Sequence, residues 1–382
     1  MASDRTAYRL VAMGDVMLDR QVGKHFKENP QDFQFGELQT VLRDDDLIFL
    51  NLENPVGTKG SPNAIQDPNV TFRCHPESLQ ILKNLGTVVV SLGNNHMLDY
   101  GEGTLAETLA HLDAAGIKHV GAGRDYEEAN RPLVMEFKGK KIAFLSHVFI
   151  YSASTRRARG NRAGVSDYRI GKILSKVSAL KGAGYQVIVS LHWGIEYCFY
   201  PLPYQREQAR AMIDHGASLI LGHGPHYPQG IERYKHGEIV YSLGNFIFDE
   251  PHRFSNRSFI YGVEITEADD LVNRMVCPVQ LVHHVPSLMR GKEAERFQRF
   301  ILRLENVYKG KSDLFWKRVN NIYFQDIINR IVRMRSLKFV FLPPLSFYLG
   351  VGIRNYLAKV SFKNIASTLQ MIFKRHIFRT AG

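Results

Sequence analysis

The sequence predicts an α/β layered domain followed by a basic helical extension. Three observations carry the prediction. Short apolar runs rich in Val, Ile and Leu recur along the first two-thirds of the chain and read as buried strands. Segments of helical periodicity separate them, as expected of stacked sheets and helices rather than a pure β barrel. Residues with metal-ligand chemistry stand directly after five of the runs, where strand ends bring loops to one rim of a sheet.

The first run, Tyr8 to Met13, leads to Gly14-Asp15. The second, Leu47 to Leu50, leads to Asn51-Leu52-Glu53, and the third, Thr87 to Leu92, to Gly93-Asn94-Asn95-His96. Gly103 to Ala115 has helical periodicity and stops at Gly116, glycine being a usual residue just past a last turn. Ile117 to Val120 is the next strand. Leu133 to Phe137 and Lys141 to Val148 form a hairpin about Gly139-Lys140. A helix over Tyr168 to Gly182 leads into the strand Val187 to Leu191 and the residues His192-Trp193-Gly194. A second, Tyr204 to His215, leads into Ala217 to Leu221 and Gly222-His223-Gly224-Pro225-His226. Glu238 to Ser242 and Ser258 to Ile265 add strands, and Met275 to His284 alternates part of the way. Two polar stretches, residues 61–76 and 151–166, are long enough to cover a site. The second carries Arg156, Arg157, Arg159 and Arg162, a cluster suited to gripping an anion.

Charge divides the chain. The net of +12 comes from 49 Lys/Arg against 37 Asp/Glu, but 19 of the former and only 5 of the latter lie from Arg290 onward. That tail alone carries +14, and residues 1–289 carry −2. Two regions are therefore expected: a layered domain over 1–289 and a basic, mostly helical extension over 290–382. In the extension, Glu293 to Tyr308 and Leu314 to Met334 read as amphipathic helices. Leu337 to Ile353 is apolar but interrupted by Pro343-Pro344, too short and broken for a straight membrane span. Basic residues flank it on both sides, the composition of a segment that lies on an anionic membrane surface, here over residues 330–379. The alternatives are a buried helix pair packed on the first domain and a solvated helical appendage. No recognised nucleic-acid motif accompanies the charge. The cysteines, Cys74, Cys198 and Cys277, are isolated, which argues against a disulfide framework or a cysteine zinc site. Residues 1–9 lack a signal-peptide pattern, so the expected location is cytoplasmic, peripheral on the inner face of the membrane.

The chemistry lies in the residues after the strands. Two carboxylates, an amide and three imidazoles aimed at one place suit a hard-to-borderline divalent cation such as Zn, Mn or Fe. For Asp15 and Glu53 the structural alternative is capping of the turns that follow. The motifs themselves are GDVML at Gly14 to Leu18, NLENPV at Asn51 to Val56, GNNHMLDYG at Gly93 to Gly101, HWGIEY at His192 to Tyr197, GHGPHYPQGIE at Gly222 to Glu232 and YSLGNFIFD at Tyr241 to Asp249. In that order they resemble the CapA family, the poly-γ-glutamate capsule synthesis proteins within the calcineurin-like metallophosphoesterase superfamily.

The resemblance implies a four-layer α/β/β/α sandwich holding one or two divalent metal ions (Mn, Fe or Zn). It implies Asp15 as a ligand, Glu53 as the bridging carboxylate, Asn95 on a second metal, and His192, His223 and His226 as imidazole ligands. His96 would be the general acid. Glu196, Tyr197 and Asn245 would surround the ligands. The sequence departs from the superfamily at Met17, where a histidine is expected, with Asp19 as the nearby residue able to compensate. It departs again at His223-Gly-Pro-His226, one residue longer than usual. The implied function is metal-dependent hydrolysis of a phosphoester or amide in synthesis or processing of a capsule polymer, the partner being that anionic polymer or its precursor. The alternative is a non-catalytic, membrane-associated subunit of a capsule assembly complex.

Overall fold

A computed structural model of the chain describes residues 5–149, 154–249 and 254–307. Strands β1 (Thr6–Val16), β2 (Leu47–Leu52), β3 (Thr87–Ser91) and β4 (Lys118–Val120) pair in parallel, as their crossover connections require. A minor ribbon joins β5 (Ala122–Gly123) to β8 (Gly164–Val165). The hairpin β6 (Leu133–Phe137) and β7 (Lys140–Val148) turns at Lys138 and Gly139, both with positive φ. It begins a second sheet with β9 (Gln186–His192), β10 (Ala217–His223), β11 (Ile231–Tyr234) and β12 (Gly237–Val240), ordered β11-β12-β10-β9-β7-β6. The chain then returns to the first sheet. Strand β13 (Asn245–Ile247) pairs with β1, and β14 (Arg257–Thr266), β15 (Leu271–Val282) and β16 (Val285–Leu288) extend it as β16-β15-β14-β1-β2-β3-β4.

Alternation along each strand fixes the layers. On β1, Tyr8, Leu10 and Ala12 face the second sheet, meeting Phe144 of β7, Ile188 of β9 and Leu219 and Leu221 of β10 in one core. Val11 and Met13 face the other way, into a core shared with helices α1 (Arg20–Glu28), α2 (Leu79–Lys83) and α3 (Glu102–Ala114). After the short α4 (Tyr126–Asn130), helices α5 (Ile170–Gly182) and α6 (Pro203–Asp214) cover the outer face of the second sheet through buried Ile173, Val177, Met212 and Ile213. The order of layers is α/β/β/α.

Helix α7 (Gly291–Val307) begins at the composition boundary, and its Phe297, Ile301 and Leu304 are buried in the inter-sheet core. Among the described residues no helix is long and apolar enough to cross a membrane. The predicted helix at Leu314 to Met334, the apolar stretch Leu337 to Ile353 and the proposed membrane segment 330–379 lie outside the described residues.

Candidate metal centre

Asp15 is still in register on β1, opposite Asn51 of β2 on one side and Asn245 of β13 on the other. The sequence places it just past the strand; the extra pairing with β13 prolongs β1 as far as Val16. Gly14 permits this pairing. A Cβ there would lie 1.9 Å from the Gly244 carbonyl oxygen, so only glycine lets the two backbones approach, with the Asp15 N–H donating to Gly244 O at 2.8 Å. Glu53 follows β2, His96 follows β3, and His192 and His223 end β9 and β10. The parallel strands β9 and β10 set these two histidines side by side in register. Carboxylates from the first sheet and imidazoles from the second therefore meet between the layers.

Three imidazole Nε2 atoms converge on one oxygen. Glu53 Oε1 lies 3.9 Å from His96, 3.8 Å from His192 and 3.7 Å from His226. These separations are too long for hydrogen bonds. They fall within the reach of two ligands on one cation, whose bonds are each about 2.0–2.2 Å. Asp15 Oδ1 accepts from His223 Nδ1 at 3.1 Å and Asn51 Nδ2 at 2.9 Å, and its Oδ2 accepts from the Gly224 N–H at 3.2 Å. Ligand atoms of Asp15, Glu53 and His192 all lie within 4.8 Å of one another, making a candidate metal site. His226, at φ +57° in the left-handed region, is turned by that strained backbone towards Glu53.

The donor set fits a cation. His226 Nδ1 donates to Asn245 Oδ1 at 2.8 Å, which leaves its Nε2 lone pair facing the Glu53 oxygen. Two acceptors opposed in a buried site repel unless a cation lies between them. His223 spends Nδ1 on Asp15, and its Nε2 is buried without a hydrogen-bond partner. Asp15 itself is fully buried and has no Lys or Arg partner among the described residues. Burial pushes its carboxyl up, but the His223 hydrogen bond and the surrounding imidazoles prevail and hold it at about 2. Burial, ahead of any charge, pushes the His192 imidazole down to about 3, so the ring is neutral at neutral pH.

His96 stands apart from this ligand set in one respect. Its Nδ1 is 2.8 Å from Asp99 Oδ2, which aims Nε2 inward. Asp99 is saturated: the same carboxylate accepts from the Phe72 N–H at 2.9 Å, Gln66 Nε2 at 2.8 Å and Ser154 Oγ at 2.6 Å. Both long polar stretches, 61–76 and 151–166, are thus tied to the carboxylate that orients His96. A buried carboxylate on the remote nitrogen stabilises the imidazolium and fixes which nitrogen faces the reaction.

Sequence reasoning missed two members of the site. Asp99 is only three residues beyond His96, inside the quoted motif, and that spacing was the available signal. Asn51 joins the carboxylates: its Nδ2 donates to Asp15 Oδ1 and, at 3.2 Å, to Glu53 Oε2, and lies 3.4 Å from His192 Nδ1. Asn94 is committed to structure, donating to Asn51 Oδ1 and Leu52 O and accepting from the His96 N–H. Asn95 is buried beside His96, its carbonyl accepting from Thr155 Oγ1 at 3.0 Å. Tyr197 flanks the centre, its ring 6.0 Å from that of His226. Glu196 is half-buried on the same turn. Met17 packs wholly in the apolar core. The nearby Asp19 accepts from the Arg73 N–H through Oδ2 at 2.6 Å.

Comparison with known proteins agrees with the motifs. The family model described as bacterial capsule synthesis protein PGA_cap matches residues 9–250. The capsule biosynthesis protein CapA of Bacillus anthracis is 32% identical over 245 residues, 63% of this chain and 60% of that protein. The PGA biosynthesis protein CapA of Bacillus subtilis (strain 168) is 34% identical over 239 residues, 62% of each. The chain thus spans less than two thirds of the length of these relatives. Among solved structures, a putative 5'-nucleotidase from Staphylococcus aureus aligns at 11% identity with a TM-score of 0.42, over 78% of this chain and 58% of that one. With Asp15, Glu53, His96, His192, His223 and His226 all inside the matched segment, the chain belongs to the bacterial capsule synthesis protein PGA_cap family.

Proposed function

We propose that the chain is a metal-dependent hydrolase that acts on a phosphoester or amide during synthesis or processing of a capsule polymer such as poly-γ-glutamate. The observation that carries this reading is the meeting of three imidazole nitrogens at Glu53 Oε1, with the far nitrogen of one of them, His96, held by Asp99. Asp15, Glu53, His192, His223 and His226 would hold the cation, with Asn95 available to a second. Mn, Fe and Zn all suit these donors. A bound divalent cation supplies Lewis acidity, polarising a phosphoryl or carbonyl oxygen and acidifying a water. The protein's own groups do the rest. Asp99 stabilises positive charge on His96, whose Nε2 holds the proton that a leaving oxygen or nitrogen takes. Asn51 keeps Asp15 and Glu53 apart and oriented, and Asn245 keeps the His226 Nε2 lone pair turned inward.

The test is metal content by elemental analysis, together with hydrolysis of a phosphoester panel and of poly-γ-glutamate. One to two equivalents in the wild type, lost in His192→Ala/His223→Ala, are expected. His96→Gln should keep the metal and lose turnover. A wild type that takes up no Mn, Fe or Zn on reconstitution overturns the reading.

One observation favours a second reading, that of a non-catalytic, membrane-associated assembly subunit. Met17 sits in the core where the superfamily places a ligand, and Asp19 is engaged elsewhere. On that reading His96→Gln leaves capsule formation in cells unchanged.

A further inference from the structure

The metal centre does not account for the arginine cluster. Arg156 lies 3.9 Å from Glu102 on the surface, and Arg162 closes a tight turn through its backbone. Arg157 and Arg159 instead line a cavity of about 460 Å³, joined by Arg169 from the start of α5, with Tyr126 and Asp167 in the same wall. Two of these guanidinium groups pair with a single carboxylate. Asp167 is almost fully buried; it accepts from Arg157 Nη1 at 3.2 Å and forms an ion pair with Arg169 Nε at 2.5 Å. Arg159 has no ion-pair partner among the described residues. Three arginines against one carboxylate give the lining a basic character.

The cavity is rigidly framed. The Arg157–Val165 bridge, the Ala158 N–H to Val165 O bond at 2.9 Å and the Tyr126 N–H to Gly160 O bond at 2.9 Å fasten the loop to its neighbours. A Cβ on Gly164 would lie 2.5 Å from Ala158 N, so the two arms of the loop touch. A guanidinium fork matches the two oxygens of a carboxylate, and Asp167 already orders those of Arg157 and Arg169. The loop also begins at the metal centre, where Ser154 Oγ donates to Asp99 and Thr155 Oγ1 to Asn95 O. Arg157 is three residues on, at most about 11 Å of extended chain away. An extended chain with repeated acidic groups is a ligand able to reach both places.

We propose that this cavity is a carboxylate-binding subsite for an acidic, peptide-like polymer, holding one part of the chain while another part lies at the metal centre. This rests on the reading of that centre as acting on a capsule polymer. The experiment is fluorescence anisotropy of the full chain with a dye-labelled γ-linked glutamate decamer at about 150 mM salt, where exposed charges are largely screened. Arg159→Gln/Arg169→Gln should weaken binding about tenfold or more. The tail variant Arg333→Gln/Arg335→Gln, which removes the same charge, should change it less than about twofold. His192→Ala/His223→Ala should still bind. That separates the two claims: polymer bound without hydrolysis by the wild type defeats the amide form of the hydrolase reading and leaves the subsite standing. Thermal melting checks that each variant is folded, and Arg159→Gln alone, which breaks no ion pair, serves if the double variant is not. No binding by wild type, equal losses in pocket and tail variants, or displacement of the decamer by equimolar inorganic phosphate would overturn the proposal.

Discussion

Asn245 and Asp99 do the same work on different histidines: each binds one ring nitrogen so that the other faces the centre. Asn245→Leu should weaken metal affinity about 10–100-fold, the usual effect of losing such a support, as read by competition with a chelator. Asp99→Asn should leave metal content intact and lower any hydrolytic rate about 10²–10⁴-fold; equal turnover would remove His96 from the mechanism. His147 makes a separate prediction. Burial and then the Lys176 charge push its imidazole down to about 3 from an ordinary 6.5. The unfolded chain therefore binds the extra proton between those values. Stability contributed by the neutral ring is full above pH 6.5 and falls as pH drops towards 3, by about 1.4 kcal/mol per pH unit for one proton. Urea unfolding of His147→Phe across that window should show a shallower slope than the wild type. The ligands were legible because each follows a run of Val, Ile and Leu. Asn51 and Asp99 were not, because an amide and a carboxylate within such motifs look like solvated loop residues until the fold buries them.

Strands and helices differ in how far composition revealed them. β9 and β10 are buried throughout and mostly apolar, and the sequence places both within two residues. α1 was missed because RQVGKHFKE is polar and buries Val22 alone, and β13 because three residues carry no periodicity. α7 was visible, but not its role: its apolar stripe seals the end of the inter-sheet core. Ile301→Ala should cost about 2–5 kcal/mol, as other large-to-small changes in cores do, with the loss visible as a lower urea midpoint. Little or no loss would show that the helix is an appendage.

Among the described residues, the two large sheets are joined by a polar centre. Asp15, Glu53, His96 and Asn245 belong to the first, and His192, His223 and His226 to the second. A cation held by both binds the native state and not the unfolded chain. At 100 times its dissociation constant it should add about 2.7 kcal/mol, seen as a metal-dependent rise in melting temperature that His223→Ala abolishes. The layer order was legible from alternating runs and helices, whereas the packing of one sheet's rim against the other's depends on contacts hundreds of residues apart. Phe49 is such a contact. Its ring stacks on Phe144 of the opposite sheet at 5.3 Å and lies 6.3 Å from the ring of His223. One aromatic pair thus links the packing of the two layers to a candidate ligand. Metal affinity then works as a ruler for the hidden interior, and a substitution such as Phe144→Leu, which touches no ligand, would be registered there as a change in chelator competition before any loss of fold.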